Sequence, residues 1–250
     1  MKICIAKPLC FSALGQKPNQ EDALFPEMGT ATRHSRVFLV CDGMGGHAMG
    51  EVASATVTNA IVDYWKKHTD EPDSETKVKM ACSKARVAMD ERSFAMGHVE
   101  MGTTMVMASI EGDTATIAHI GDSRCYLQRH GEGLLYQTKD HIRLDFGWEI
   151  VDRCFFSYRD EAAVPDIVQL KLKAGDRLLL CTDGLYKSIA QDILLARMMD
   201  DKPLADILDV YAFLCEKHSD DNYTAILIEV AQYSRKLLPD KTFYAVNNQG

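Results

Sequence analysis

The stretch Val37-Phe38-Leu39-Val40-Cys41-Asp42-Gly43-Met44-Gly45-Gly46 carries an apolar run directly into an aspartate and a glycine-rich turn. Leu178-Leu179-Leu180-Cys181-Thr182-Asp183-Gly184 repeats this arrangement, and Ile117-Ala118-His119-Ile120-Gly121-Asp122 is a third example. Asp22 and Asp221 instead stand just before apolar runs. Such runs are typical of β-strands. If the strands that end at an aspartate run antiparallel to those that begin after one, all five carboxylates reach one edge of a sheet.

A cluster of five carboxylates predicts a cation site. Carboxylates that lie close together repel one another and are costly to remove from water, so they need a counter-charge. A ligand set made only of oxygen suits hard divalent cations such as Mg or Mn. A single Asp-Gly pair after a strand is usually just a turn, so the prediction depends on the five aspartates together.

Length and composition favour one globular domain. The chain has 250 residues, of which 46% are hydrophobic and 26% charged. Its net charge of −8 argues against a nucleic-acid partner or an anionic membrane surface. The eight cysteines form no CxxC pair, which predicts reduced core cysteines in a cytoplasmic protein. We expect a single domain over residues 1–232 with a C-terminal tail over 233–250, and neither a signal peptide nor a membrane-spanning helix.

The periodicity along the chain predicts an α+β fold with two packed sheets and helices outside them. Helical spacing of apolar residues predicts helices over about 51–67, from Ser74 to near Gly97, over 191–200, and over 204–217 after Pro203. Short apolar runs separated by glycine-containing turns predict an antiparallel meander between Gly102 and Gln137. Trp65 and Trp148 are interpreted as packing residues.

Eight motifs between residues 19 and 224 occur in the order typical of one family. Each is weak alone, but the ordered set resembles the metal-dependent Ser/Thr protein phosphatases of the type 2C class (PPM), and Met44 with His47 is similar to the bacterial branch. The motifs are Asn19-Gln20-Glu21-Asp22-Ala23, Cys41-Asp42-Gly43-Met44-Gly45-Gly46-His47, Gly50-Glu51-Val52-Ala53-Ser54, Gly102-Thr103-Thr104, Ile120-Gly121-Asp122-Ser123-Arg124-Cys125-Tyr126, Thr138-Lys139-Asp140-His141, Gly175-Asp176-Arg177-Leu178-Leu179-Leu180-Cys181-Thr182-Asp183-Gly184-Leu185 and Asp220-Asp221-Asn222-Tyr223-Thr224.

The resemblance implies a four-layer α-β-β-α sandwich, with two antiparallel sheets and a helix pair on each outer face. It also implies ligand roles. Asp42 would bridge two Mn or Mg ions, and the Gly43 carbonyl would bind one of them. Asp183 and Asp221 would complete the shell of the first ion, and Asp22 would hold the second mostly through water. Asp122, together with Asp183, would mark a weaker third site.

The activity that the resemblance implies is hydrolysis of phosphoserine and phosphothreonine in proteins. A water shared by the two ions would attack phosphorus, so no protein nucleophile is needed, and Asp42, Asp183 and Asp221 are the expected catalytic residues. Asn222 is expected to orient Asp221 from outside the ligand shell. We expect a monomeric hydrolase whose partners are phosphorylated proteins, either kinases or kinase targets.

The chain departs from the family at three places. Lys17 stands where the family usually has a phosphate-binding arginine, and Lys17, Arg33 or Arg36 are candidates for that role. Met44 stands where many eukaryotic relatives have a histidine, which leaves a metal-bound water or His47 as the proton donor. The flap segment, about residues 141–163, is shorter than in the family.

Two other functions stay open at the level of sequence. The fold could serve as a non-catalytic module that binds phosphoproteins, which the Lys17 change and the short flap favour. The same metal chemistry could also act on a small phosphoester. An apolar, enclosed region around residues 142–163 would favour the small substrate, and an open groove would favour a protein.

Overall fold

The computed structural model describes residues 3–44, 49–159 and 163–232. Within these ranges the strands are β1 Ile3–Ile5, β2 Leu9–Ala13, β3 Asp22–Phe25, β4 Val37–Asp42, β5 Gly102–Thr103, β6 Met105–Glu111, β7 Thr114–Ile120, β8 Arg124–Arg129, β9 Gly133–Gln137, β10 Ile142–Asp145, β11 Trp148–Val151, β12 Phe155–Phe156, β13 Asp166–Lys171, β14 Asp176–Cys181 and β15 Tyr223–Gln232. The helices are α1 Gly50–Lys67, α2 Glu75–Ala95, α3 Asp183–Tyr186, α4 Gln191–Met198 and α5 Leu204–His218.

Two antiparallel sheets form the body of the fold, as the sequence predicts. One has the strand order β13-β7-β6-β4-β3, and the other has the order β1-β15-β14-β8-β9, with β2 also paired to β15. The long strand β15 pairs with β1 near its end and with β2 near its beginning. Because β7 belongs to the first sheet and β8 to the second, the short turn between them crosses from one sheet to the other.

Alternating side chains on each strand pack into three apolar clusters. Phe38 and Val40 of β4 lie in a cluster shared with Leu178, Leu180 and other residues of the second sheet. Leu39 and Cys41 of the same strand pack against α1 and α2. A third cluster joins the opposite face of the second sheet to α3, α4 and α5. This period of two is the ordinary consequence of strand geometry, and each fully buried large side chain contributes about 1.5–3 kcal/mol.

The helices begin and end close to their predicted positions. The Ser74 hydroxyl accepts a hydrogen bond from the Lys77 backbone N–H (3.2 Å), which makes Ser74 the N-cap of α2. Pro203 is the N-cap of α5. Helix α4 ends at Met198, two residues before the predicted end at residue 200. Within the described ranges, every helix is too short or too polar to cross a bilayer. All eight cysteines are free thiols, and six of them are buried as predicted for core cysteines, whereas Cys4 and Cys10 are half-buried.

The segment after His141 forms small β structures that the sequence pattern did not predict. Strands β10 and β11 pair as a hairpin, and β12 pairs with β5. Trp65 is buried, as predicted for a packing residue, but the same prediction is wrong for Trp148, which is 77% exposed on the hairpin. This sheet contains only the two strands of the hairpin, and Leu144 on it is also 76% exposed. The predicted tail, residues 233–250, lies outside the described residues.

Candidate metal centre

Strand register brings the five predicted aspartates to one edge of the two sheets. Asp22 and Asp42 are direct partners in the antiparallel pair of β3 and β4. Asp183 follows the end of β14, and Asp221 lies just before the start of its antiparallel partner β15. Asp122 lies in the turn between β7 and β8. The carboxylates therefore come from both sheets, and within each sheet antiparallel pairing places the end of one strand beside the start of its partner.

Four of these carboxylates surround a small cavity of about 130 Å³. The cavity is lined by Asp42, Gly43, Met44, Thr104, Asp122, Val151, Asp183 and Asp221. Asp22 lies behind it and is only 8% exposed. The Thr182 hydroxyl donates to Asp22 Oδ2 (3.0 Å), whereas Asp22 Oδ1 has no hydrogen-bond partner among the described residues.

Backbone contacts around the cavity are very close. The Gly43 N–H donates to the Glu21 carbonyl (3.1 Å), and a Cβ at Gly43 would lie 2.3 Å from the Gly50 carbonyl oxygen. A Cβ at Gly184 would lie 2.0 Å from the Asn222 carbonyl oxygen. Only glycine fits at either position, because any side chain would force the neighbouring backbone away. These contacts fix the loops that follow Asp42 and Asp183.

Hydrogen bonds to two threonines fix the backbone of Asp42. The Asp42 N–H donates to the Thr104 hydroxyl (3.1 Å), and the Asp42 carbonyl accepts from the Thr103 hydroxyl (2.8 Å). Asn222 links the start of β15 to the segment that precedes β3. Its Oδ1 accepts from the Glu21 N–H (2.8 Å), and its Nδ2 donates to the carbonyls of Leu14 (2.8 Å) and Asn19 (3.0 Å). The predicted role of Asn222 as a supporting residue is consistent with these contacts.

Burial and neighbouring carboxylates destabilise the charged forms of these aspartates. Burial raises the pKa of Asp22 to about 7 against the hydroxyl hydrogen bonds of Thr224 and Thr182, which lower it, and the charges of Asp183 and Asp221 add a smaller upward contribution. Burial, together with the charges of Asp22, Asp183 and Asp122, raises the pKa of Asp42 well above its usual range. Burial and Asp183 raise the pKa of Asp122 to about 6, although Lys187 acts in the opposite direction.

Two lysines approach this negative cluster. Lys17 Nζ lies 3.0 Å from Asp221 Oδ1, and Lys187 Nζ lies 2.7 Å from Asp183 Oδ2 and 3.8 Å from Asp122 Oδ2. Burial lowers the pKa of both lysines, but their carboxylate partners outweigh it and the net pKa is raised. Both ammonium groups are therefore charged at neutral pH.

The donor set fits divalent cations. The cavity wall presents carboxylate oxygens and a backbone loop at Gly43, which are ligands that Mg and Mn prefer. Among the described residues, Oδ1 of the buried Asp22 lacks a hydrogen-bond partner. Burial and neighbouring carboxylates raise the pKa values of Asp22 and Asp42, and a nearby cation would favour their charged forms.

A family model described as protein phosphatase 2C matches residues 12–224 of this chain. The chain belongs to the protein phosphatase 2C family. Among curated relatives, the serine/threonine protein phosphatase PstP of Mycobacterium tuberculosis is 29% identical over 87% of this chain. That alignment covers 43% of PstP, so the chain spans less than half the length of this relative. The serine/threonine phosphatase stp of Listeria monocytogenes is 28% identical, covering 77% of this chain and 84% of the relative.

Two solved serine/threonine phosphatase structures share the fold. The catalytic domain of PstP, solved in complex with two manganese ions, superposes with a TM-score of 0.75 at 26% identity, covering 93% of this chain and all of that one. Stp1 of Staphylococcus aureus has a TM-score of 0.74 at 23% identity, which supports the fold alone, and covers 90% of this chain and 94% of that one. The α+β class with two antiparallel sheets is thus established for this chain.

The other predicted site residues fall at different distances from the cavity. Lys17 is at the site through its contact with Asp221. Arg36 is not, because its guanidinium donates to the carbonyls of Arg33 (2.8 Å) and Ser35 (2.9 Å) and lines a separate groove beside Trp65. Met44 lines the cavity and cannot donate a proton. His47, the other candidate proton donor, lies outside the described residues.

Sequence reasoning missed Lys187 and Thr182. Thr182 bonds to Asp22 across the two sheets, and no local pattern signals that contact. Lys187 follows Asp183 by four residues and lies at the end of α3. A helix predicted immediately after Asp183 would have placed the lysine one turn along the same face. The meander and helix predictions left this four-residue helix out.

Proposed function

We propose that this chain is a metal-dependent protein phosphatase that removes phosphate from serine and threonine side chains. The observation that carries the proposal is the convergence of Asp22, Asp42, Asp122, Asp183 and Asp221 from two sheets on one cavity edge. Burial, together with the charges of the neighbouring carboxylates, raises the pKa of three of them. Membership of the protein phosphatase 2C family supports it, as does the manganese-bound structure of the PstP catalytic domain.

The residues have distinct roles in this proposal. Asp42, the Gly43 carbonyl, Asp183 and Asp221 would hold Mn or Mg, with Asp22 behind them. Two such ions, when bound, activate water and neutralise charge that develops on the transferred phosphoryl group. Asn222 orients the Asp221 carboxylate, since the Asn222 N–H donates to Asp221 Oδ1 (2.8 Å). Lys17 supplies a point charge for the phosphate rather than the two-pronged contact of an arginine.

A protein substrate is favoured over a small phosphoester. The cavity wall includes Val151 at the end of the β10–β11 hairpin, and that hairpin presents exposed side chains at Leu144 and Trp148. The strand register places Leu144 and Trp148 on opposite faces of this exposed hairpin, which contacts the cavity at Val151. An exposed hairpin at the cavity suits a polypeptide rather than an enclosed metabolite. Phosphorylated kinases or kinase targets as substrates, a monomeric state and a cytoplasmic location are parts of the same proposal.

We also infer the four-layer α-β-β-α order of the type 2C fold for this chain. The three apolar clusters support it. One lies between α1, α2 and the first sheet, one between the two sheets, and one between the second sheet and α3 to α5. In this arrangement the cavity opens at the end of the sandwich where both sheets contribute strand termini.

Phosphate release from a phosphothreonine peptide tests the proposal. The protein is assayed with Mn, with Mn plus excess chelator, and as the Asp183→Asn variant with Mn. We expect release that requires Mn and falls at least about a hundredfold in the variant, because a cavity carboxylate is lost. Asp209→Asn, an exposed change on α5, serves as the matched control and should be fully active.

Three results would argue against the assignment. Full activity of Asp183→Asn would place the chemistry elsewhere. Measurable Mn binding without any phosphate release, from peptides or from p-nitrophenyl phosphate, would favour the phosphoprotein-binding module. Release from p-nitrophenyl phosphate alone would favour the small-molecule esterase.

A further inference from the structure

Lys187 lies between two carboxylates at the outer side of the cavity. Its Nζ is 2.7 Å from Asp183 Oδ2 and 3.8 Å from Asp122 Oδ2. The position follows from the short helix α3. The Lys187 N–H donates to the Asp183 carbonyl (2.8 Å), so the lysine returns to the face of Asp183 one helical turn later.

The other cation near this pair is already engaged. Arg124 makes a two-pronged contact with Asp140, at 2.9 and 2.6 Å, and its guanidinium stacks on the Tyr186 ring at 3.6 Å. Lys17 is paired with Asp221 on a different side of the cavity. Within the described residues, Lys187 is thus the cation that faces both Asp122 and Asp183.

The pair Asp122 and Asp183 is also the pair that the family resemblance marks for a weaker third metal ion. We propose that the Lys187 ammonium takes the place of that ion, so that the site binds two divalent cations and its third position is filled by the chain itself. This inference rests on the proposed function of the cavity as a metal centre.

Charge balance supports the proposal. Five carboxylates carry five negative charges, two divalent cations supply four positive charges, and Lys187 supplies the fifth. The positive charge of Lys17 is then left for an incoming phosphate. A tethered ammonium is also held at high effective concentration next to its partners, so a weakly bound third cation must compete with it. Lys187 is 51% exposed, so solvent partly screens its ion pairs and a high concentration of a third cation can displace it.

Mn stoichiometry provides a test that does not depend on turnover. Electron paramagnetic resonance of free Mn, with calorimetry in parallel, is recorded for wild type and for Lys187→Met. We expect two Mn per wild-type chain at moderate Mn concentration. We expect a third in Lys187→Met that binds at least about tenfold more tightly than any third ion in wild type. Lys187→Met combined with Asp122→Asn should lose that third ion again.

Two variants control the test. Lys187→Arg keeps the charge and should keep the stoichiometry at two. Lys202→Met removes one exposed lysine charge in the α4–α5 loop and should not create a third site. If Lys187→Met fails to fold, as judged by circular dichroism, Lys187→Gln replaces it.

Three outcomes would overturn the inference: equal affinity for a third Mn in wild type and Lys187→Met, only two Mn in Lys187→Met, or no Mn binding at all. The last result would also remove the proposed function. The remaining results distinguish a failure of the role of Lys187 from a failure of the proposed phosphatase activity. Two Mn in wild type and three in the variant, without phosphate release from either, would sustain the role of Lys187 and reject the phosphatase. Phosphate release from a wild-type protein that binds three Mn would support the phosphatase and reject the role of Lys187.

Discussion

The Asp22 side chain shows how a single buried acid couples metal binding to pH. Its Oδ2 accepts from Thr182, and burial raises its pKa to about 7. An aspartate with a raised pKa is protonated below that value, and a metal requires the carboxylate form. Asp122, with a pKa raised to about 6, acts in the same direction. Metal binding must therefore release protons from the metal-free protein near neutral pH.

We predict that Mn affinity falls by about tenfold between pH 8 and pH 6, because Asp22 takes up a proton over that window. Titration calorimetry at both pH values measures the affinity, and two buffers with different ionisation enthalpies measure the protons released. Asp22→Asn should bind Mn more weakly and with a shallower pH dependence. An affinity that is flat from pH 6 to pH 8 would show that Asp22 is already ionised in the metal-free protein.

At the scale of elements, the β10–β11 hairpin combines exposure with local strain. Phe146 is 99% exposed and has φ 49°, and Gly147 follows with φ 87°. Positive φ at both central residues is the pattern of a two-residue hairpin turn, in which asparagine and glycine are favoured over a bulky residue. A phenylalanine that gains no burial there is retained at a cost to stability. Phe146 lies in the turn of the hairpin whose last residue, Val151, lines the cavity, so we infer that it contacts the substrate.

We predict that Phe146→Asn, combined with Trp148→Thr, leaves the free energy of unfolding unchanged or slightly higher. The same variant should raise KM for a phosphoprotein by about three- to tenfold, because a few exposed aromatic contacts are lost. The rate with p-nitrophenyl phosphate should not change. Phe213→Ser, an exposed aromatic change on α5, is the matched control. Equal losses on both substrates would mean that the hairpin supports the cavity rather than the substrate.

The same hairpin shows which features the sequence patterns do not predict. The five aspartates could be predicted because each borders an apolar strand, and a period of two with antiparallel pairing brings such termini together. The exposure of Trp148 could not be predicted from the sequence, since it depends on whether another layer covers β11. Lys187 was missed because a four-residue helix is too short to show periodicity. Thr182 was missed because its partner Asp22 is 160 residues away in the chain.

At the scale of the whole molecule, the cavity joins the two sheets. Asp22 and Asp42 belong to the first sheet, and Asp183 and Asp221 border strands of the second. Without a metal, the described links across this edge include the Thr182–Asp22 hydrogen bond and the Asn222 contacts with Asn19 and Glu21. Repulsion among the carboxylates opposes them. Bound cations would replace that repulsion with attraction to both sheets, so metal binding should stabilise the entire fold.

We predict that Mn at about a hundredfold excess over its Kd raises the free energy of unfolding by about 2.7 kcal/mol. For a domain of this size, that corresponds to a rise in Tm of about 5–10 °C. Thermal unfolding followed by circular dichroism, with Mn and with chelator, measures the shift. Asp183→Asn should show a smaller shift, whereas Asp209→Asn should match wild type. If calorimetry detects Mn binding while Tm stays constant, Mn binds the unfolded chain as tightly as the native one, because any ligand that prefers the native state raises Tm. The assignment of Mn to a centre built by the folded sheets would then be wrong, since ligands brought together only by folding cannot bind the ion equally well in the unfolded chain.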